Sequence, residues 1–139
     1  RQDVTENGWI CHGEYNQHNV LIIRKETAVT SFEHWGFDVQ MADLYRFMRK
    51  ILEKYNWDVR LGMKMLSAYH KEKSISEDEW QNIRIRFLYP EKYWKLANYY
   101  YSHNKAWISE KNTQKLKKLT GQKEAWQNFG IKCLENYPF

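Results

Sequence analysis

The feature that most constrains the fold of this chain is a change in the period of its apolar residues near residue 40. Before that point, short runs rich in β-branched residues at 9–12, 19–24 and 28–32 have the composition of strands. From Met41 onward, apolar residues recur at i, i+3, i+4 and i+7, which places them on one face of a helix. The chain is therefore predicted to be α+β and mainly α, with a small β element followed by about five helices.

The first third of the chain is predicted to form a small β element, a hairpin with its flanking strand, over residues 9–32. Residues 25–27 separate two apolar runs and are short enough for a hairpin turn. The polar segment from Gly13 to His18 would then project from this element as a loop. Loops held by a β scaffold often carry functional groups, so this segment is the first candidate for chemistry.

The helical part is predicted to run from residue 41 to residue 135. Asp58 is placed to cap a second helix that would reach about Lys71. The first helix carries an apolar stripe formed by Leu44, Phe47, Met48, Ile51, Leu52 and Tyr55.

Three later helices are predicted from the residues at their starts. Ser76 and Glu79 have the spacing of a capping box, which would open the third helix. Pro90 suits the first turn of a fourth helix that would end near His103, and Ser109 would open a fifth. The fifth helix has its apolar positions at Leu116, Leu119, Trp126 and Phe129, and the glycines expected to kink or break it are Gly121 and Gly130.

The composition supports one folded domain over residues 1–139. Aromatic residues make up 17% of the chain and only 6 glycines and 2 prolines are present, which excludes a disordered chain or a low-complexity fibre. No apolar stretch approaches the ~20 residues that a bilayer crossing requires. The net charge of +5 arises from interspersed acidic and basic residues, so an anionic partner is permitted but not required.

Cys11 and Cys133 allow either one long-range disulfide or two reduced thiols. Two cysteines in a chain that can bury a core favour reduced, buried thiols and an intracellular origin. Cys11 precedes His12 and could be a nucleophile, but no neighbouring residue in the sequence would lower its pKa.

Aromatic residues alternate with cations from Tyr89 to Trp107, and three interpretations are open. The aromatic rings could pack between helices, form a surface for another protein, or stack on the bases of a nucleic acid. Helix packing is the simplest interpretation because Trp94, Ala97 and Tyr101 fall on one helix face. Nucleic-acid binding has the least support of the three.

His12, Glu14 and Asn19 place an imidazole, a carboxylate and a carboxamide on one predicted loop. The carboxylate could accept a hydroxyl proton, and the amide oxygen could bind a hard cation such as Mg²⁺. The alternative is a polar turn with a buried histidine. Zinc is disfavoured, because neither a P-C-x-x-C nor an H-E-x-x-H pattern accompanies these residues.

The same loop resembles the motif of a known group of enzymes. The pattern H-G-D-x-x-x-x-N, followed by a strand, a turn, a strand and a second metal-binding Asp, marks the aminoglycoside phosphotransferase and choline kinase group. Here it stands as His12-Gly13-Glu14, four further residues and Asn19, with Ser31-Phe32-Glu33 at the second site.

Within that group, the chain is most similar to the CotS-type spore coat proteins of endospore-forming bacteria. The likeness extends from about Trp9 to Phe129. It is carried by residues 43–50, 56–58, 89–95 and 104–109. The resemblance implies the C-terminal lobe of a protein-kinase-like fold, with no counterpart in this chain for the N-terminal lobe that grips the nucleotide.

The resemblance also implies roles for individual residues. Glu14 stands where active relatives have a catalytic Asp, and His12 precedes it in the loop. Asn19 is an implied metal ligand, whereas Ser31 replaces the Asp that binds Mg²⁺. If the segment is a strand, Glu33 shares a face with Ser31 and could supply the missing carboxylate.

Asp43 matches the acid that supports the catalytic loop from the following helix, so its implied role is structural. Two changes, Ser31 in place of an Asp and Glu14 in place of an Asp, imply a degenerate kinase. The first matters most, because the main role of such a metal site is to neutralise the charge of the phosphates. The implied function is that of a spore coat protein, made in the mother-cell cytoplasm and bound to other coat proteins without a membrane. The alternative is an active phosphotransferase that uses ATP and Mg²⁺ to modify a sugar or an amino alcohol; no residue is assigned to nucleotide binding.

Overall fold

The computed structural model of the chain describes residues 6–102 and 109–139. Its β structure consists of two antiparallel strand pairs that precede the helices. Cys11 lies opposite Gly36 in the first pair, and Val20 lies opposite Val29 in the second. The strands are β1 (Ile10–Cys11), β2 (Val20–Ile23), β3 (Glu26–Val29) and β4 (Gly36–Phe37), with a short 3₁₀ turn at Phe32–His34.

The α-helices formed by the described residues are α1 (Met41–Lys54), α2 (Val59–Glu72), α3 (Glu77–Leu88), α4 (Glu91–Ser102), α5 (Glu110–Gly121) and α6 (Lys123–Leu134). The predicted fifth helix is thus two helices, which meet at Gln122. Gly121 ends the first of them as expected, whereas the expected break at Gly130 is wrong, since that residue lies inside α6. None of these helices combines the length and the apolar content that a bilayer crossing needs.

The capping predictions are confirmed at the starts of α2 and α3. Asp58 Oδ1 accepts a hydrogen bond of 2.8 Å from the Leu61 N–H. Ser76 and Glu79 exchange hydrogen bonds of 3.2 and 3.0 Å, as a capping box requires. Helix α4 begins one residue after Pro90 and extends to Ser102, and the predicted end at His103 lies outside the described residues.

The core lies among α1, α2, α3 and α6, which pack against one another. Phe87 of α3 and Phe129 of α6 meet edge to face with their ring centroids 5.4 Å apart. The Trp126 Nε1–H donates to the Phe87 carbonyl at 2.8 Å, which closes the α3–α6 contact. Tyr55 is 61% exposed and Leu116 is also exposed, so their assignment to apolar faces is wrong.

Both cysteines are buried free thiols, as predicted. Burial raises the pKa of Cys133 from 9.0 to about 12. Burial also raises the pKa of Cys11 to about 11, with the charges of Asp43 and Asp38 adding to the effect. A thiol with a raised pKa is a poor nucleophile at neutral pH, so neither cysteine has the character of a catalytic residue.

Gly62 permits the closest approach between α2 and α6. A Cβ at this position would lie 2.3 Å from Cε2 of Phe129, whose side chain is fully buried. At Gly121, by contrast, a Cβ would meet no atom within 4 Å. Substitutions at these two glycines therefore distinguish the effect of close packing from the effect of helix propensity.

We expect Gly62→Ala to destabilise the protein by about 2 kcal/mol, because the added methyl group overpacks a core that cannot yield. Gly121 is the last residue of α5, so Gly121→Ala gains only a part of the helix propensity, without a clash, and should change stability by at most about 0.5 kcal/mol. Urea denaturation followed by circular dichroism measures both variants. Equal stabilities of the two variants would contradict the close approach.

Candidate functional site

The polar loop of residues 12–19 connects β1 to β2 and is fixed to the first turn of α1. The backbone N–H groups of His12 and Gly13 donate to the two carboxylate oxygens of Asp43, at 2.5 and 3.1 Å. Arg46 Nη1 lies 3.2 Å from Asp43 Oδ1 and completes the arrangement. Asp43 therefore holds the start of the loop against α1 by two charge-assisted hydrogen bonds.

The buried imidazole of His12 connects the loop to the segment that follows β3. Its Nδ1 accepts a hydrogen bond from the Glu14 N–H at 3.2 Å, and its Nε2 lies 2.8 Å from the Thr30 carbonyl oxygen. Because Nδ1 is an acceptor, Nε2 is the nitrogen that carries the proton and donates to Thr30. Both ring nitrogens are thus bonded to backbone groups, which indicates a positioning role for His12.

Gly13 brings the loop into contact with the 3₁₀ turn. Its φ of +81° lies in the region that favours glycine, and a Cβ here would lie 2.0 Å from the His34 carbonyl oxygen. The His12 and Phe32 rings lie nearby, with centroids 4.6 Å apart. The start of the loop therefore contacts the 3₁₀ turn that follows Ser31.

The side chain of Asn19 contacts the backbone of Glu14, not its carboxylate. Asn19 Nδ2 and Asn16 Nδ2 each donate to the Glu14 carbonyl oxygen at 2.9 Å, so the two amides fix the backbone of the loop. The Glu14 carboxylate is 51% exposed and lies 3.7 Å from His34 Nε2. The side chain of Glu14 is thus presented to solvent by a loop that is rigidly held.

Ser31 and Glu33 do not lie in a strand. Strand β3 ends at Val29, Ser31 has a left-handed conformation with φ 66°, and Glu33 lies in the 3₁₀ turn. The inference that both side chains share one strand face is therefore wrong, because the left-handed residue turns the chain between them. Within residues 6–102 and 109–139, no group of three or more His, Cys, Asp or Glu side chains is placed so that it could hold a metal ion.

Two cavities lie next to α1 that were not predicted. One, of about 510 Å³, separates residues 13–16 of the loop from α1, α3 and α4. The other, of about 410 Å³, has six aromatic residues in its lining, including Trp57, Phe87 and Trp126. Arg46, Arg49 and Lys50 of α1 line the first cavity, and their i, i+3, i+4 spacing was the signal that could have indicated it.

The aromatic residues of α4 are exposed. Tyr93 and Trp94 are each 58% exposed and Tyr101 is 77% exposed, and no residue of α4 is buried. Among the described residues these three rings are therefore more than half exposed, which contradicts the interpretation that they pack between helices. Trp107 lies outside the described residues.

The contact of Gly13 with His34 gives a prediction with a matched control. Gly8 also has a positive φ, of +63°, but a Cβ there would meet nothing within 4 Å. Both Gly8→Ala and Gly13→Ala incur the backbone cost of about 1–2 kcal/mol, and only Gly13→Ala adds the clash. We expect Gly13→Ala to be less stable than Gly8→Ala by at least about 2 kcal/mol in urea denaturation. Equal losses would mean that the loop does not need its contact with the turn.

The comparisons with known proteins agree with this geometry. The fold is similar to that in the crystal structure of an aminoglycoside phosphotransferase from Alicyclobacillus acidocaldarius subsp. acidocaldarius DSM 446, with a TM-score of 0.81 and 20% sequence identity. The match covers 89% of this chain and 37% of that chain, so the protein spans less than half the length of this structural relative. The predicted fold, the C-terminal lobe of a kinase-like structure, is confirmed.

No curated protein is similar enough to the chain to count as a match. The family model described as "Spore coat putative kinase YutH" matches residues 1–132, which is nearly the whole sequence. The predicted relationship to kinase-like spore coat proteins is thereby confirmed, and the chain belongs to this spore coat kinase-like family.

Proposed function

We propose that this protein is a kinase-like component of the spore coat whose role is structural or interactive, with little or no phosphate transfer. Membership of the family supports association with the coat, and the fold supports descent from a phosphotransferase. In this proposal the protein is made in the mother-cell cytoplasm, binds other coat proteins and needs no membrane.

The observation that carries the proposal is the chemistry at Ser31. A neutral hydroxyl occupies the position where the motif of active relatives has a metal-binding carboxylate. Asn19, the other residue that the motif assigns to the metal, has a neutral amide, and the Glu33 carboxylate is exposed in the 3₁₀ turn. Mg²⁺ in nucleotide sites is bound through one or two carboxylates and the phosphates themselves, and the position that the motif assigns to such a carboxylate has none here, which argues against a tight Mg²⁺–ATP site.

The exposed rings of α4 support an interactive role. Trp94 and Tyr101 lie two helical turns apart on one face of α4, and each is more than half exposed. Tyrosine and tryptophan are enriched in the cores of protein–protein interfaces. The surface formed by these two residues is therefore the proposed contact with other coat proteins.

Active phosphate transfer to a small hydroxylated molecule is the second candidate. Two observations favour it: the loop of residues 12–19 is held in place by Asp43, and Glu14 borders a cavity of about 510 Å³. In this case Glu14 would accept the hydroxyl proton, and Asn19 and Glu33 would hold the metal. This candidate requires ATP and Mg²⁺ as the co-substrate and the metal.

An experiment that restores a negative charge at position 31 distinguishes the two candidate functions. In the full-length protein, Mg²⁺–ATP should leave the melting temperature of the wild type unchanged, because little nucleotide binds. Ser31→Asp should give a melting temperature that rises with Mg²⁺–ATP concentration, since a ligand that binds only the folded state stabilises it. Ser31→Asn is the matched control, because it has the same shape, tolerates a positive φ and lacks the charge.

Transfer of the ATP γ-phosphate by the wild type in the presence of Mg²⁺, and its loss in Asn19→Ala, would overturn the proposal in favour of the active enzyme. Failure of Ser31→Asp to differ from Ser31→Asn would mean that the charge at this position is not what limits nucleotide binding.

The contact with the coat is tested by the location of fluorescent fusions in sporulating cells. The wild type should localise to the coat, whereas Trp94→Ala combined with Tyr101→Ala should remain diffuse because the rings that would bury against a partner are gone. Tyr55→Ala removes an exposed ring at the end of α1, just after Lys54, and should localise normally. Normal localisation of the double variant would contradict a contact through α4, and a wild type absent from the coat would contradict the coat role.

A further inference from the structure

The cavity of about 510 Å³ beside Glu14 has a pronounced excess of cationic side chains. It lies between the loop and helices α1, α3 and α4, and its size suits a small molecule. Its charged lining consists of Arg46, Arg49, Lys50, Arg86 and Lys95, with the carboxylates of Glu14 and Glu91.

Three of these five cations are paired with carboxylates. Arg46 contacts Asp43, and Lys95 contacts Glu91. Arg49 Nη1 lies 2.9 Å from an oxygen of Glu53. These pairs hold their side chains in position, but they do not cancel the positive charge of the whole lining.

Lys50 and Arg86 are the cations that remain available. In the described part of the chain, no carboxylate oxygen lies within 4.0 Å of either side chain, and Arg86 Nε contacts the neutral Asn82 Oδ1 at 2.7 Å. The two residues come from different helices, α1 and α3, and line the same cavity. Two unneutralised cations that converge on one cavity form an electrostatic site for an anion.

Arg49 is held beside these cations by its surroundings. Arg49 Nε is inaccessible to solvent and has no hydrogen-bond partner among the described residues, although a Glu91 oxygen lies 3.8 Å away. Glu91 itself is engaged: burial alone would raise its pKa, but Lys95, Arg49 and the Tyr45 hydroxyl together hold it below the usual value. Glu91 thus pairs with Arg49 and Lys95. Lys50 and Arg86 have no such carboxylate partner among the described residues.

From this geometry we infer that the cavity binds an anionic small molecule that carries a phosphate group. A dianionic phosphate matches the charge of Lys50 and Arg86, and a guanidinium group binds its oxygens directionally. A protonated amino alcohol would be repelled by the same residues. The inference rests on the proposed function only in taking residues 12–19 as the ancestral catalytic loop, and it holds whether or not phosphate is transferred.

The test measures binding to the full-length protein by NMR titration without ATP or Mg²⁺. Three probes share one carbon frame: glucose 6-phosphate, glucose, and glucosamine at a pH where its amine is protonated. Inorganic phosphate, which has no carbon frame, is the fourth. The two phosphate probes should give saturable shifts in residues 13–16, and glucose and glucosamine should give none.

Arg86→Gln and Lys50→Gln should each weaken binding of glucose 6-phosphate by about tenfold, the effect of losing one charge-assisted contact. Arg84→Gln removes a charge from the same helix at a position that does not line the cavity, and it should leave the affinity unchanged. Circular dichroism of the variants verifies that each one is folded.

Absence of saturable shifts with both phosphate probes, or an equal loss in Arg84→Gln and Arg86→Gln, would overturn the inference. Because nucleotide is left out of this titration, its failure is distinct from failure of the proposed function, which is measured with Mg²⁺–ATP and in sporulating cells.

Discussion

The position of the candidate site depends on one carboxylate, that of Asp43. Its two oxygens accept hydrogen bonds from consecutive backbone N–H groups of the loop, and hydrogen bonds to charged groups contribute about 1.5–3 kcal/mol each. Asp43 lies in the first turn of α1, whose buried face packs against α2 and α3. The site is therefore positioned by the helical core, although the loop itself is connected to short strands that have little core of their own.

Features with a local physical cause could be predicted from the sequence, and features that depend on a distant partner could not. The caps at Asp58 and Ser76 involve residues within one helical turn, so their pattern was sufficient. The exposure of the aromatic rings of α4 was not predicted, because the spacing of aromatic residues in a helix does not show whether another element covers them. The conformation of Ser31 was missed because a run of β-branched residues suggested that the strand continues past Val29.

The sequence indicated that three polar residues of the candidate site lie on one loop, but it did not indicate the cavity beside that loop. His12, Glu14 and Asn19 were recognisable as a group because they lie on one short loop. The contribution of Arg86 could not be predicted, since it reaches the cavity from α3 only after α1 and α3 have packed. The spacing of Arg46, Arg49 and Lys50 on α1 carried part of this information, but a cationic helix face is usually solvated.

The backbone contacts of the loop have a consequence for how such a protein changes over time. Asp43 binds N–H groups, and His12 and Asn19 bind backbone atoms at Thr30 and Glu14, whereas the carboxylate of Glu14 extends into solvent. Replacing that carboxylate leaves the scaffold intact, so selection for folding alone places no constraint on it. A lineage that no longer needs the chemistry can lose the acid by neutral drift while its architecture persists.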